Sequence, residues 1–242
     1  MKFQNINYLN KKNIYNNKML RLRSTKMLIC DMAGTTVQEK GIVYNSLFNT
    51  IKLIKPDLLR SDISKFSGYN KNEVIKYFVD QQKMNSPDVV LNNLKSEFNY
   101  YLKKEYSNNN SVKLMDKNLP SFFNLLRDQD IKICLNTGYN KNIQNLLIDK
   151  LGLLDCIDDY ISSEEVDRGR PYPYMIERLM TRNNIHDPQE VIKIGDSIAD
   201  IKEGKNAGCK TVGVLSGADS KEELKKHNPD IIIGNIMDLR FN

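Results

Sequence analysis

The chain has 242 residues, 40% hydrophobic and 27% charged, which suits a packed core with room for a smaller partner domain and excludes a chain too polar to fold. No apolar run reaches the roughly 18 residues of a membrane span, and the short apolar patches near the start are broken by Asn and Lys. The net charge of +6 resides in the first 30 residues, which hold seven Lys and Arg and no acid, so residues 31–242 sum to about −1.

Residues 1–22 form a basic, Asn-rich stretch of weak periodicity, expected to be a disordered extension. It reads as a solvated tail, an organelle-targeting peptide or a nucleic-acid-binding arm. The first β-rich run, KMLIC, closes on Asp31 and is followed by Ala33, Gly34, Thr35 and Thr36. From about Gly41 to Asp116 no strand pattern appears. Val43, Leu47, Ile51 and Ile54 recur at helical spacing, as do Val74, Ile75, Phe78 and Val79, and then Leu91, Leu94, Phe98 and Leu102. This predicts a helical insertion over 41–116, splitting a core made of 23–40 and 117–242. Leaving the end of the first strand, it would cap the sheet edge where α/β proteins bind ligands. Core helices of a bundle-like domain are the alternative.

Further along, the runs IKICLN (131–136), CIDDYIS (156–162), VIKIG (191–195), TVGVL (211–215) and DIIIG (230–234) alternate with helical patterns at 121–129, 142–152, 173–183 and 199–208. That alternation predicts an α/β fold with a parallel sheet covered on both faces. Cys30, Cys134, Cys156 and Cys209 form no C-x-x-C pair, and His186 and His227 lie far from them, so a structural zinc site is not expected. Unpaired buried thiols point to a reducing, cytoplasmic compartment, with organelle targeting through the extension as the alternative.

Three strand-like runs end on polar groups: Asp31, Thr137-Gly138, and Asp196 with Asp200 four residues on. Each alone reads equally well as a helix cap. In a parallel sheet, however, all three share one edge. Convergent carboxylates repel unless a cation lies between them, and Mg²⁺, oxygen-ligated and compatible with phosphate, fits. The loop DRGRPYP offers Arg168 and Arg170 as a bidentate phosphate clamp, or as ordinary solvated arginines. The inferred substrate is a small phosphorylated or phosphonylated molecule, with Asp31 as nucleophile. Asp31, Thr137, Arg170 and Asp196 together argue against a silent nucleic-acid-binding protein.

The motifs DMAGTT, NTGYN, GRPYP and GDSIADIKEGKNAG stand in order between Met27 and about Ala218. Together they resemble the haloacid dehalogenase superfamily, and within it the phosphonoacetaldehyde hydrolase, or phosphonatase, branch. The resemblance implies a Rossmann-like core with a helical cap after the nucleophile strand, and a possible dimer through the cap. It implies Asp31 as the residue that becomes an aspartyl-phosphate. Mg²⁺ would be held by Asp31, the carbonyl of Ala33 and Asp196, with Asp200 supporting its waters. Thr137 and Arg170 would bind the transferring group, with Thr35, Gly138 and Tyr139 at the substrate. Phosphatases of this superfamily carry a second acid where this chain has Ala33. Phosphonatases have alanine there, because a carbon leaving group needs an electron sink, which a cap lysine supplies as an imine. Gly68-x-x-Lys71 resembles that lysine's motif. Asn70 as N-cap and Glu73 as a capping-box acid would place Lys71 in a first helical turn, as an imine-forming, a substrate-contacting or a structural lysine. The chain departs from the branch at Val74, where phosphonatases have His, and at Gly41, where they have Cys. The acid expected just after AGTTV is Gln38, with Glu39 next.

Overall fold

The computed structural model describes residues 24–66, 69–107 and 112–240. The basic extension and Gly68 lie outside the described residues. Strands β1 (Met27–Asp31), β4 (Lys132–Thr137), β5 (Asp159–Ser162), β6 (Val191–Gly195), β7 (Lys210–Val214) and β8 (Ile231–Ile233) form a parallel sheet in the order β5-β4-β1-β6-β7-β8. Each comes from one of the six apolar runs. The order reverses direction at β1, so the carboxyl ends of β1 and β6 flank the switch point where such sheets bind ligands.

Alternation along the strands separates two faces. Leu28, Cys30, Ile133, Leu135, Ile192 and Ile194 pack with helices α5 (Leu119–Arg127) and α6 (Lys141–Lys150). Met27, Ile29, Cys134 and Val191 pack with α7 (Tyr174–Arg182). The same period carries Asp31, Asn136 and Lys193 to the second face, and Asp31 pairs in register with Asn136. Helix α8 (Ile198–Asn206) closes over them. It approaches closely because Gly204 has no side chain: a Cβ there would lie 2.9 Å from the Cβ of Lys193 and 2.6 Å from Thr211.

Between β1 and α5 the chain builds α1 (Ile42–Lys52), α2 (Arg60–Ser64), α3 (Lys71–Asp80) and α4 (Pro87–Ser107). Their apolar stripes, including Leu47, Ile51, Ile75, Phe98 and Leu102, are buried against one another. One strand appears where the sequence pattern showed none. Strand β3 (Val112–Leu114) pairs antiparallel with β2 (Val37–Glu39), so the chain enters and leaves the helices side by side. Three residues carry too little alternation to be read as a strand, and their partner lies about 75 residues away.

Helix α3 begins as its cap predicts. Asn70 Oδ1 accepts the N–H groups of Asn72 and Glu73 at 2.8 and 3.2 Å. Asn70 Nδ2 donates to Ser163 Oγ at 2.8 Å, so one side chain both starts the helix and docks it on the sheet domain. Glu73 does not act as a box acid; its carboxylate turns to the Gly169 N–H, 3.5 Å away. Replacing Asn70 with Ala removes the cap and this contact, and is expected to cost about 1–2 kcal/mol, measured by denaturant unfolding.

Candidate active site

The carboxyl ends of β1, β4 and β6 converge on a cavity of about 250 Å³. Asp31, Thr137, Arg170 and Asp196 line it from the sheet side, and Lys71 and Glu39 from the side of the inserted helices. Ala33, Gly138 and Tyr139 also line it. One oxygen from each of Asp31, Asp196 and Asp200 lies within 4.8 Å of the others.

These acids are buried, and each is held by a different set of donors. Asp196 Oδ1 accepts the Thr35 hydroxyl at 3.1 Å and Oδ2 the Ala218 N–H at 2.7 Å. Gly34 and Gly217 make room for it, since a Cβ at either would come within 2.4 Å of Oδ2. Burial, reinforced by the charges of Asp31 and Asp200, pushes Asp196 well above the usual carboxylate range. Burial also raises Asp31, against the pull of Arg170. Asp200 behaves differently: burial pushes it up, but Arg170 and Lys193 outweigh that and hold it low.

Arg170 is 2% exposed. Nη2 meets Asp31 Oδ1 at 2.7 Å and donates to Asn136 Oδ1 at 2.8 Å. Nη1 meets Asp200 at 3.0 Å and Nε meets Glu203 at 3.1 Å. The guanidinium expected to clamp phosphate thus lines the cavity while its fork braces Asp31. Arg168, the other half of that clamp, stacks on the Tyr172 ring 3.7 Å away and is exposed. Thr35, expected at the substrate, is fully buried with its hydroxyl on Asp196. The backbone turns at Gly34 (φ 82°), which carries that side chain inward.

Three members of this network were not singled out from the sequence: Lys193, Glu203 and Asn136. Lys193 Nζ is 2.7 Å from Asp200 and 2.8 Å from Asn136 Oδ1, and the side chain is wholly buried. Asn136 Nδ2 donates to both oxygens of Glu203 at 3.0 Å. A lysine inside the apolar run VIKIG was the available signal, since a strand buried on both faces has no solvent to offer it. Four carboxylates, Asp31, Asp196, Asp200 and Glu203, face two cations, Arg170 and Lys193. Counted as ionised, they leave a formal excess of two negative charges, which with hard oxygen donors on Asp31 and Asp196 fits a divalent cation.

Lys71 supplies the opposite character. It is buried, donates to the Tyr69 carbonyl at 2.7 Å, and lies over the Tyr44 ring at 5.2 Å. Burial first, then the charge of Arg170, bring its pKa from 10.5 down to about 8, against the pull of Asp31, Glu39 and Asp196. The positive end of α3 acts in the same direction. Between pH 8 and 10.5 the unfolded chain therefore binds more protons than the folded one, and stability rises with pH. Lys71→Met is expected to melt higher than wild type at pH 7, by about 1–3 kcal/mol of unfolding free energy, with the difference closing across that window.

The family model for haloacid dehalogenase-like hydrolases matches residues 28–214. The phosphonoacetaldehyde hydrolase of Latilactobacillus sakei subsp. sakei (strain 23K) is 31% identical over 203 residues, which span 79% of this chain and 76% of that protein. The phosphonoacetaldehyde hydrolase of Bacillus anthracis is 35% identical over 109 residues, 43% of this chain and 41% of that protein. The solved structure of a phosphonoacetaldehyde hydrolase-like protein from Oleispira antarctica shares the fold with a TM-score of 0.74. It is 21% identical, and the match covers 96% of this chain and 94% of that one. Among the described residues no helix is long and apolar enough to cross a membrane.

Proposed function

The chain belongs to the haloacid dehalogenase-like hydrolase family, and from that premise we propose that it cleaves the P–C bond of phosphonoacetaldehyde or a closely related small phosphonate. The observation that carries this reading is the pairing of two reactive groups in one cavity with no acid two residues after Asp31. A buried Lys71 amine shares the cavity with Asp31, while position 33 is alanine.

In this reading Asp31 attacks phosphorus and becomes the aspartyl-phosphate. Arg170 orients the carboxylate through the 2.7 Å contact and favours its ionised form against burial. Lys71 condenses with the aldehyde, so that the electron pair of the breaking P–C bond moves into an enamine rather than onto bare carbon. Water then releases phosphate from Asp31. Asp31, the Ala33 carbonyl and Asp196 would hold Mg²⁺, with Asp200 steadying its waters. When bound, the ion would offset charge on the phosphoryl oxygens and between the two acids. Thr137 and Gly138 lie on the phosphoryl side of the cavity, and the helices over residues 41–116 serve as its cap.

A phosphatase acting on a small phosphomonoester is the second reading. It is favoured by Val74 and Gly41, which replace the His and Cys of the phosphonatase pattern. Phosphate release from phosphonoacetaldehyde and from a panel of sugar and nucleotide phosphates, each with Mg²⁺, separates the two. Turnover confined to the esters would overturn the phosphonatase reading.

Borohydride added with phosphonoacetaldehyde is expected to leave a covalent adduct on Lys71, at a rate that rises as pH passes about 8 and the amine loses its proton. Asp31→Asn is expected to lower turnover at least about 10⁴-fold with the fold intact by circular dichroism. Mg²⁺ is expected to raise the melting temperature of the wild type, by about 2.7 kcal/mol of stability at 100 times its Kd, and to have no such effect on Asp196→Asn.

A further inference from the structure

The phosphoryl chemistry uses one wall of the cavity and leaves the opposite wall unexplained. Glu39, at the end of β2, lines that wall. Its Oε2 accepts hydrogen bonds from the hydroxyls of Tyr106, in the last turn of α4, and of Tyr139 at 3.0 Å, just past β4. Those two hydroxyls lie 2.9 Å apart, so three oxygens from three separate segments close into a triangle. Both rings are buried and meet edge to face. Burial above all pushes both phenols well above their usual range, so they remain donors.

Burial also pushes the Glu39 carboxyl up. The hydrogen bonds from Tyr106, Tyr139 and the Val43 N–H, and the positive charge of Lys71, pull the other way without cancelling it. Among the described residues, Glu39 thus faces two phenols, one backbone N–H and the Lys71 amine.

A process of elimination points to one role. The cavity is lined by three carboxyl groups, Asp31, Asp196 and Glu39. The first two are assigned to phosphorus and the cation. No histidine lines the cavity among the described residues, and Ala33 and Val74 have no proton to give. Imine chemistry nevertheless needs an acid. The neutral amine adds to the aldehyde carbon, and a proton moves from nitrogen to oxygen to give a carbinolamine. That hydroxyl departs only after gaining another proton.

We propose that Glu39, held by Tyr106 and Tyr139 beside Lys71, is the acid–base group of the imine steps. This rests on the phosphonatase reading above. In its protonated form the Glu39 carboxyl gives its proton to the carbinolamine hydroxyl. The C–O bond breaks, water leaves, and the nitrogen lone pair forms the C=N bond of an iminium. After P–C cleavage the enamine carbon takes a proton from solvent. Water then adds to the product iminium and gives its proton to the Glu39 carboxylate. The carbinolamine so formed collapses: its hydroxyl proton passes to nitrogen as the C–N bond breaks, freeing acetaldehyde and the Lys71 amine.

The test is rapid-quench trapping of the Lys71 adduct by borohydride after mixing phosphonoacetaldehyde with the Mg²⁺-loaded full chain. It is run on the wild type, Glu39→Gln and Glu39→Asp. Adduct formation is expected to be about 10²–10⁴-fold slower in Glu39→Gln and to recover to within about tenfold of wild type in Glu39→Asp. Equal rates in the wild type and Glu39→Gln overturn the assignment while leaving the Lys71 imine standing. Losses of the same size in the Asp and Gln variants also overturn it, because the carboxylate is then only structural. A wild type that forms no adduct removes the phosphonatase reading and this inference with it. If melting shows that Glu39→Gln does not fold, the wild type in D2O takes its place. Adduct formation is expected to slow there, and an unchanged rate overturns the assignment.

Discussion

The Arg170 guanidinium is the contact on which the site depends. Asp31 comes from the central strand, and Asp200 and Glu203 come from the helix that packs over it. Without a cation between them these acids would repel across a water-free interior, and α8 could not sit against the sheet. Arg170 suits the place better than a lysine would, because its planar fork meets three carboxylates in fixed directions while losing little hydration. Lys193 adds a second charge where the fork does not reach. Such a buried network adds little net stability, since desolvation offsets the attraction; removing one member, however, leaves the others uncompensated at about 3–5 kcal/mol. Its value lies in geometry. It fixes the Asp31 carboxylate at the switch point of the sheet, with one face turned to the cavity.

The charges around the cavity are divided between its walls. Counted as ionised, the sheet side carries a formal excess of two negative charges, which a divalent ion can offset. The helical side carries an amine and a carboxyl whose ionised forms are both disfavoured by burial. In the phosphonatase reading proposed above, that division suits a substrate with phosphorus at one end and a carbonyl at the other. Alanine at position 33 belongs to the same division, because a proton donor there would serve an oxygen leaving group rather than a carbon one.

The burial of Lys71 costs stability. Its amine loses water and faces the positive end of its own helix, a combination that sequences selected for stability alone avoid. The helix start offsets part of this. Asn70 caps two N–H groups and reaches Ser163, and Asn72 reaches Glu164 at 3.3 Å. Gly169, next to Arg170, lets this turn come close: a Cβ there would stand 3.1 Å from that of Asn70. The segment presenting the amine is thus pinned to the segment presenting the arginine.

What the sequence determined by itself were properties set by near neighbours. Six apolar runs became the six parallel strands, the helical spacing of Leu47, Ile75 and Leu94 placed buried stripes, and Asn70 capped a helix because the cap acts over three residues. The polar endings at Asp31, Thr137 and Asp196 were legible because a carboxylate or hydroxyl closing an apolar run is conspicuous. Only the tertiary structure decided which groups neutralise one another. Arg170 faces acids rather than solvent, Thr35 turns to Asp196, Lys193 finds Asp200, and Glu39 meets tyrosines 67 and 100 residues away. The short pairing of β2 with β3 belongs with these. Periodicity and capping are local and leave a trace along the chain, whereas charge compensation and strand pairing act between distant segments and are settled only when the fold brings them together.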